Sequence, residues 1–152
     1  MNVIENQQLW FDTALSYRAR VEKDSLGDII AHIYDNISAL GLEITDSIVV
    51  TVCEEAREPK RTILGVEIIV PVNKPFESNC HYVFKPHFRL ENAVLLKYRG
   101  KASELPETRK RLCEYALDKH YSPLTNVYFS IKRISGNEVV ANAYLGIDGN
   151  SL

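Results

Sequence analysis

The sequence predicts an α+β fold: duplicated β-α-β-β units, with helices layered on a sheet. Three observations carry this reading. Runs of alternating apolar and polar residues recur along the chain, the period-two pattern of half-buried strands. Two stretches with apolar residues at helical spacing interrupt them. The two helical stretches are also introduced alike. "ALSYRARVEKDSLGDIIAHI" (14–33) and "VLLKYRGKASELPETRKRL" (94–112) share a Tyr-Arg pair, a short polar gap and a Leu that opens a helical run.

Each element follows from its residues. Leu15, Tyr17, Ala19 and Val21 alternate with Ser16, Arg18, Arg20 and Glu22, which predicts the first strand about eight residues into the chain. Ser25 with Asp28 three positions on reads as a capping box. Ile29, Ile33, Ile37 and Leu40 form an apolar stripe, and Gly41 supplies a left-handed stop. "DSIVVTVCEE" and "ILGVEIIVPV" return to period two, with Leu64, Val66, Ile68 and Val70 directed to the core. A polar connector with a proline follows. "HYVFKPHFRL" then reads as a strand interrupted at Pro86, at an edge or a bulge. Val94, Leu96, Tyr98 and Gly100 alternate with Leu95, Lys97, Arg99 and Lys101. Pro106 suits a first helical turn, and Leu105, Thr108, Leu112, Tyr115 and Ala116 give the second stripe, with Arg109, Lys110 and Arg111 outward. "TNVYFSIKRI" and "VVANAYLGID" close the chain around a Gly-Asn turn. Adding 79 to positions 38–52 lays Ser47 on Asn126, Ile48 on Val127 and Val49 on Tyr128. The expected organisation is a single domain over 1–152, with pseudo-repeats at about 9–72 and 80–148 around a connector at 73–79.

Bulk properties narrow the function classes. No apolar run is long enough to span a bilayer, and "MNVIENQQLW" lacks the basic start and apolar core of a signal peptide. Three cysteines without C-x-x-C spacing fit a reducing compartment, so the cytoplasm is expected. A net charge of −2 points to neither nucleic acid nor membrane as a partner. The charge is unevenly spread. Residues 1–79 carry 13 acids and 7 bases, and residues 80–152 carry 7 acids and 11 bases. His81 and His87 lie six positions apart with Pro86 between, and no Cys-His spacing suits zinc. No Gly-rich phosphate loop or nucleophile elbow appears, and no cofactor is expected.

The strand carrying Tyr98 and Gly100, the later strand carrying Tyr128, and "VEIIVPV" at 66–72 resemble GyrI-like domains. This is the gyrase-inhibitor-like, or bacterial transcription-activator effector-binding, superfamily. The likeness covers roughly residues 9–148 and extends to stand-alone Firmicutes members without a DNA-binding part. It implies two similar units forming one curved antiparallel sheet, with two long helices on one face. It also implies a groove between the helices that takes organic, often cationic or aromatic, molecules. In many members a buried Glu two residues before the strand Tyr neutralises a bound cation. Here that position is Asn126, an amide with hydrogen bonds but no charge to offer. Glu67 or Glu54 would then have to supply the charge. No helix-turn-helix precedes the domain, so the resemblance does not carry over a transcription-factor role.

The residues expected to line the site are Tyr17 and Glu67 from the first unit, and Tyr98, Asn126 and Tyr128 from the second. Glu67 interrupts an apolar run. It is either a buried carboxylate needing a partner or a residue on a solvent-facing or edge-lying side. The tyrosines are either stacking platforms or ordinary cross-strand packing. Three functions are weighed. The first is a non-catalytic small-molecule-binding domain. The second is a protein-interaction module with a degenerate pocket. The third is a groove-based hydrolase resting on Glu67 or Glu54. Oligomeric state is left open.

Overall fold

The computed structural model describes residues 3–148. Among these residues, eight strands make one antiparallel sheet, with two helices on one of its faces. Strands β1 (Val3–Phe11) and β2 (Ala14–Glu22) precede helix α1 (Leu26–Ala39), and β3 (Val49–Arg57) and β4 (Thr62–Pro71) follow it. The order recurs with β5 (Tyr82–Lys85), β6 (Phe88–Lys101), α2 (Leu105–Asp118), β7 (Ser122–Ser135) and β8 (Glu138–Asp148). Across the sheet the strands run β1-β6-β8-β7-β3-β4-β2-β5.

That order is unchanged, read from the other end, when β1–β4 trade places with β5–β8. The two helices begin 79 positions apart, as do the 3₁₀ turns Lys23–Ser25 and Ala102–Glu104 that lead into them. At the centre, β3 and β7 pair through Val49–Ser130, Val50–Phe129 and Thr51–Tyr128, a ladder that maps onto itself at the same spacing. The two Tyr-Arg pairs of the sequence do not keep this spacing. Arg18 corresponds to Lys97, so the matching letters are two residues out of register.

Several expectations need correction. A strand, β1, precedes the one expected first. Its polar middle, "ENQQ", and Asn6 at φ 58° hide the alternation, since the pairing with β6 shifts on both sides of Gln7. Pro86 does not interrupt one strand but separates two, and β6 starts at Phe88 rather than Val94. Ser25 makes no capping bond, because the 3₁₀ turn already holds it in helical backbone. The buried face of α1 is Leu26, Ile30, Ile33 and Ile37; Leu40 is exposed. Gly41 does end the helix at φ 73°. Arg109 is not on the outward face with Lys110. Its guanidinium donates to the Val52 carbonyl at 3.2 Å and pairs with Glu55 at 3.7 Å over β3.

The helix-side core joins both helices to Val50 and Val52 of β3, Leu64, Val66, Ile68 and Val70 of β4, and Phe129 and Ile131 of β7. The other face has a core of its own, and two short links explain it. Asp12 and Thr13 alone join β1, first in the sheet, to β2, seventh; Pro86 and His87 alone join β5, last, to β6, second. Each link reaches about 11 Å at most. Six interstrand steps in a flat sheet would span about 29 Å. The sheet must therefore curl until opposite corners meet over the face away from the helices. There Phe11 stacks on Phe88 at 5.1 Å and Phe88 meets Tyr128 edge-on at 5.0 Å. Val49, Ile69, Leu95 and Tyr144 lie in the same cluster.

β1 is also tied to α2. Glu5 accepts hydrogen bonds from the hydroxyls of Tyr121 at 2.5 Å and Tyr115 at 2.7 Å. These bonds, that from Tyr121 first, hold Glu5 below the usual carboxylate range, and the bond to Glu5 pushes Tyr115 up to about 12. The clamp's stabilisation is lost as pH falls through the lowered Glu5 value or rises through that of Tyr115. Glu5→Gln is expected to return the Tyr115 phenol toward 10.0, its ordinary value, in an ultraviolet titration of phenolate absorbance.

Candidate functional site

Period two along β4 sends Leu64, Val66, Ile68 and Val70 to the helix side, as the sequence suggests, and Glu67 to the other face. That face is not solvent. Glu67 is only 6% exposed, because the curl of the sheet brings β5 over it. The alternative of a solvent-facing Glu67 is therefore overturned.

Three side chains converge on this carboxylate. The Ser16 hydroxyl donates to Oε2 at 2.5 Å, Lys85 Nζ at 3.2 Å, and Arg18 Nε lies 3.9 Å away. Ser16 and Arg18 come from β2, which pairs antiparallel with β4 and sets Arg18 directly opposite Glu67. Lys85 ends β5, paired to β2 through Ala14, and its ammonium also stands 5.7 Å from the centre of the Phe88 ring. Burial by itself would raise the Glu67 pKa. The Ser16 bond, the Lys85 charge and bond, and the Arg18 charge outweigh it and hold the carboxyl below its usual range. Glu67 is thus an ionised group with its charge already matched.

A cleft of about 450 Å³ opens beside it, walled by Ser16, Arg18, Glu67, Lys85, Cys80, His81, Val83 and Phe84. On the opposite flank Glu67 faces Thr51 across the β3–β4 ladder, and Thr51 faces Tyr128 across β3–β7. Thr51 donates to the Val127 carbonyl at 2.9 Å. Burial first, then the charge of Glu67, raises the Tyr128 phenol. One register row therefore runs Arg18, Glu67, Thr51, Tyr128, Tyr144 and Leu95, from charge to aromatic to aliphatic.

The five residues expected to line one site do not converge. Glu67 and Tyr128 share the face away from the helices. Tyr17 lies on the helix side, packed against Tyr82 with ring centres 5.6 Å apart. Tyr98 is also on the helix side, its hydroxyl donating to the Lys101 carbonyl at 2.7 Å across Gly100. A Cβ at Gly100 would stand 2.8 Å from that hydroxyl, so the glycine makes room for the ring. Asn126 is exposed, in the stretch between Pro123 and Val127 where the pairing with β8 shifts. The space between the helices over the sheet centre is occupied by Val50, Val52, Phe129 and Ile131, each at most 1% exposed. The expected groove there is filled by core.

Glu54, the other carboxylate considered, pairs with Arg20 and borders a shallower hollow with Cys53 and Gly65. Sequence reasoning missed Ser16, Arg18 and Lys85. The first two were legible as residues alternating with the core positions of β2, but their partner depended on strand pairing. Lys85 carried no signal beyond its place before Pro86.

No protein-family model matches the chain, and no curated protein does. The fold, however, recurs among solved structures. EcmrR in its DNA complex superposes at a TM-score of 0.66 with 15% identity, over 96% of this chain and 57% of that one. The crystal structure of the EcmrR C-terminal domain gives 0.61 and 15%, over 97% and 99%. A hydrolase from Listeria innocua gives 0.54 and 9%, over 97% and 91%. At such identities the likeness is one of fold. This chain spans little more than half of the DNA-bound EcmrR chain but the length of its C-terminal domain. The single antiparallel sheet with two helices is consistent with the GyrI-like arrangement. No helix among the described residues is long and apolar enough to cross a membrane.

Proposed function

We propose that this domain binds a small organic molecule, without converting it, in the cleft beside Glu67. The observation that carries the reading is a buried, ionised carboxylate, held by three polar side chains, at the wall of a 450 Å³ cleft. Concave sites of this size with a few fixed polar groups on an apolar background are where small ligands bind. Lys85, on the cleft wall, also stands 5.7 Å from the centre of the Phe88 ring, which ties the site to the aromatic cluster of Phe11, Phe88 and Tyr128. The fold shared with the EcmrR C-terminal domain supports it too, since that domain belongs to a chain seen on DNA. A sensing role for this fold fits the resemblance to effector-binding domains. The doubled strand order fits two pseudo-repeats, each contributing half of the sheet.

Lys85 and Arg18 alter the expected ligand. They supply two cations to one carboxylate, so a neutral or anionic planar molecule suits the cleft better than a cation. A Listeria neighbour is named a hydrolase. Catalysis by Glu67 is disfavoured here by its lowered pKa, because a general acid or base works best with a pKa near the operating pH. The protein-interaction reading keeps its place as the rival outcome of one experiment.

That experiment is a thermal-shift and calorimetric screen of planar aromatic compounds in neutral, anionic and cationic forms. A neutral or anionic hit is expected, weakened at least about tenfold by Arg18→Gln or Glu67→Gln, in line with loss of a charged hydrogen bond. A hit indifferent to both variants overturns the site. A screen without hits, together with a stoichiometric protein partner from native cells, transfers the function to interaction. Turnover of a hit reinstates the enzyme.

A further inference from the structure

Lys85 stands between two groups that are fixed without it. Its ammonium lies 3.2 Å from Glu67 Oε2 and 5.7 Å from the centre of the Phe88 ring. Glu67 is held by the ladders of β4 with β2 and β3, and by the Ser16 hydroxyl at 2.5 Å. Phe88 is held by Phe11, stacked on it at 5.1 Å, and by Tyr128, edge-on at 5.0 Å. Lys85 itself ends β5, a strand of four residues at the edge of the sheet, and its side chain is 32% exposed. A carboxylate and an aromatic ring are together the groups that hold an organic ammonium ion. Here the chain's own lysine fills that place.

The second unit shows that the sheet does not require this ion pair. Arg18 faces Glu67 across β2 and β4, and the corresponding Lys97 faces Asn142 across β6 and β8. Lys85 faces Ala14 across β5 and β2, and Gln7 faces the corresponding Ala93 across β1 and β6. Carboxylate and ammonium are both present in one unit, and both are replaced by amides in the other. A buried ion pair seldom adds stability over uncharged residues of similar size, because desolvation offsets the attraction. Its confinement to the unit with the Glu67 cleft points to a role in the cleft.

We propose that Lys85 fixes the charge of the ligand in the Glu67 cleft by occupying a site for a primary ammonium ion. This rests on the reading of the cleft as the ligand site and adds the group that decides its selectivity. With Lys85 in place the carboxylate is neutralised from within. The lysine is tethered, so a free cation competes with it only above the effective concentration that the tether sets. Arg18 does not duplicate the role, since its Nε is 3.9 Å from Oε2 and its side chain is 79% exposed. Once the Lys85 side chain is cut back to Cβ, the same place takes a free alkylammonium ion.

Lys85→Ala removes a propylammonium group, and n-propylammonium chloride is the probe that replaces it, titrated into the full chain at constant ionic strength. Thermal melts and two-dimensional NMR of backbone amides follow the titration. Lys85→Ala should melt below the parent and regain most of the difference in the millimolar range, with saturating shifts at residues 16–18, 67 and 88. The parent should show neither effect, because its own ammonium holds the place. Glu67→Gln/Lys85→Ala should bind the probe at least about tenfold more weakly than Lys85→Ala, and n-propanol should not rescue. If Lys85→Ala does not fold unaided, the rescue is read as return of its far-ultraviolet circular dichroism. No saturable response of Lys85→Ala, an equal response of the parent, or equal rescue by n-propanol overturns the proposal. The probe is not the ligand of the cleft, so failure here leaves the outcome of the compound screen standing, and failure of the screen leaves the rescue measurable.

Discussion

Phe129→Ala is expected to lower the stability of this domain by about 3–5 kcal/mol, the largest effect of any single truncation considered. The ring is fully buried at the centre of the sheet, opposite Val50 in the ladder that joins the two halves. It stands on the helix side, where Val127 and Ile131 flank it along β7 and both helices close the same core. A large rigid side chain at that crossing cannot be replaced by collapse, because backbone surrounds it on both sides through β3 and β8. The cavity cost therefore adds to the lost transfer energy. For a chain of this length the melting temperature should fall by roughly 10 °C. Urea denaturation measures the difference directly. A loss below about 1 kcal/mol would mean that the halves are held together elsewhere.

Lys85→Met should cost about 1–2 kcal/mol near neutral pH, and the cost should fade on acidification. Removing the ammonium leaves Glu67 ionised and buried with Ser16 and a more distant Arg18 for company. Lys85 is 32% exposed, so solvent screens part of the pair and keeps the figure at the low end for a buried ion pair. The sign follows from the lowered pKa of Glu67. A carboxyl held below its unfolded value of 4.5 stabilises the fold above that value, and the contribution is lost as pH falls through the folded one. Parent and variant should therefore diverge near neutrality and converge only once pH has fallen below the lowered folded value of Glu67, where its carboxyl is protonated in both. The double variant Glu67→Gln/Lys85→Met should recover most of the loss, since the Ser16 hydroxyl can donate to the amide oxygen. Equal stability of parent and Lys85→Met at neutral pH would show that the ammonium does not reside on Glu67 in solution.

Particular residues show how far the sequence could be read. The alternation through Leu64, Val66, Ile68 and Val70 gave the face of β4 correctly, and with it the side on which Glu67 lies. Gly41 and the Gly-Asn turn also stand where their backbone freedom is needed. Glu54 shows the limit. The pairing of β3 with β4 slips between Val52 and Glu54, which sends Glu54 to Arg20 on one face and Glu55 to Arg109 on the other. A strict period of two predicts the reverse, and one bulge is enough to exchange the faces. Arg109 was missed for a related reason: a charged residue on a helix finds a half-buried partner only if a strand beneath supplies one.

Local chemistry by itself determined the elements: which segments alternate, which wind, and which side chains each turns inward. That follows because side-chain direction is set by backbone period within a few residues. Only the tertiary structure decided where a site stands. Two-residue links between strands at distant places in the sheet force it to curl, bury Glu67 on the face without helices, and bring Lys85 to it. Those contacts join residues far apart in the chain, so no local pattern encodes them, and the same curl separates Tyr17 and Tyr98 from Glu67 and Tyr128.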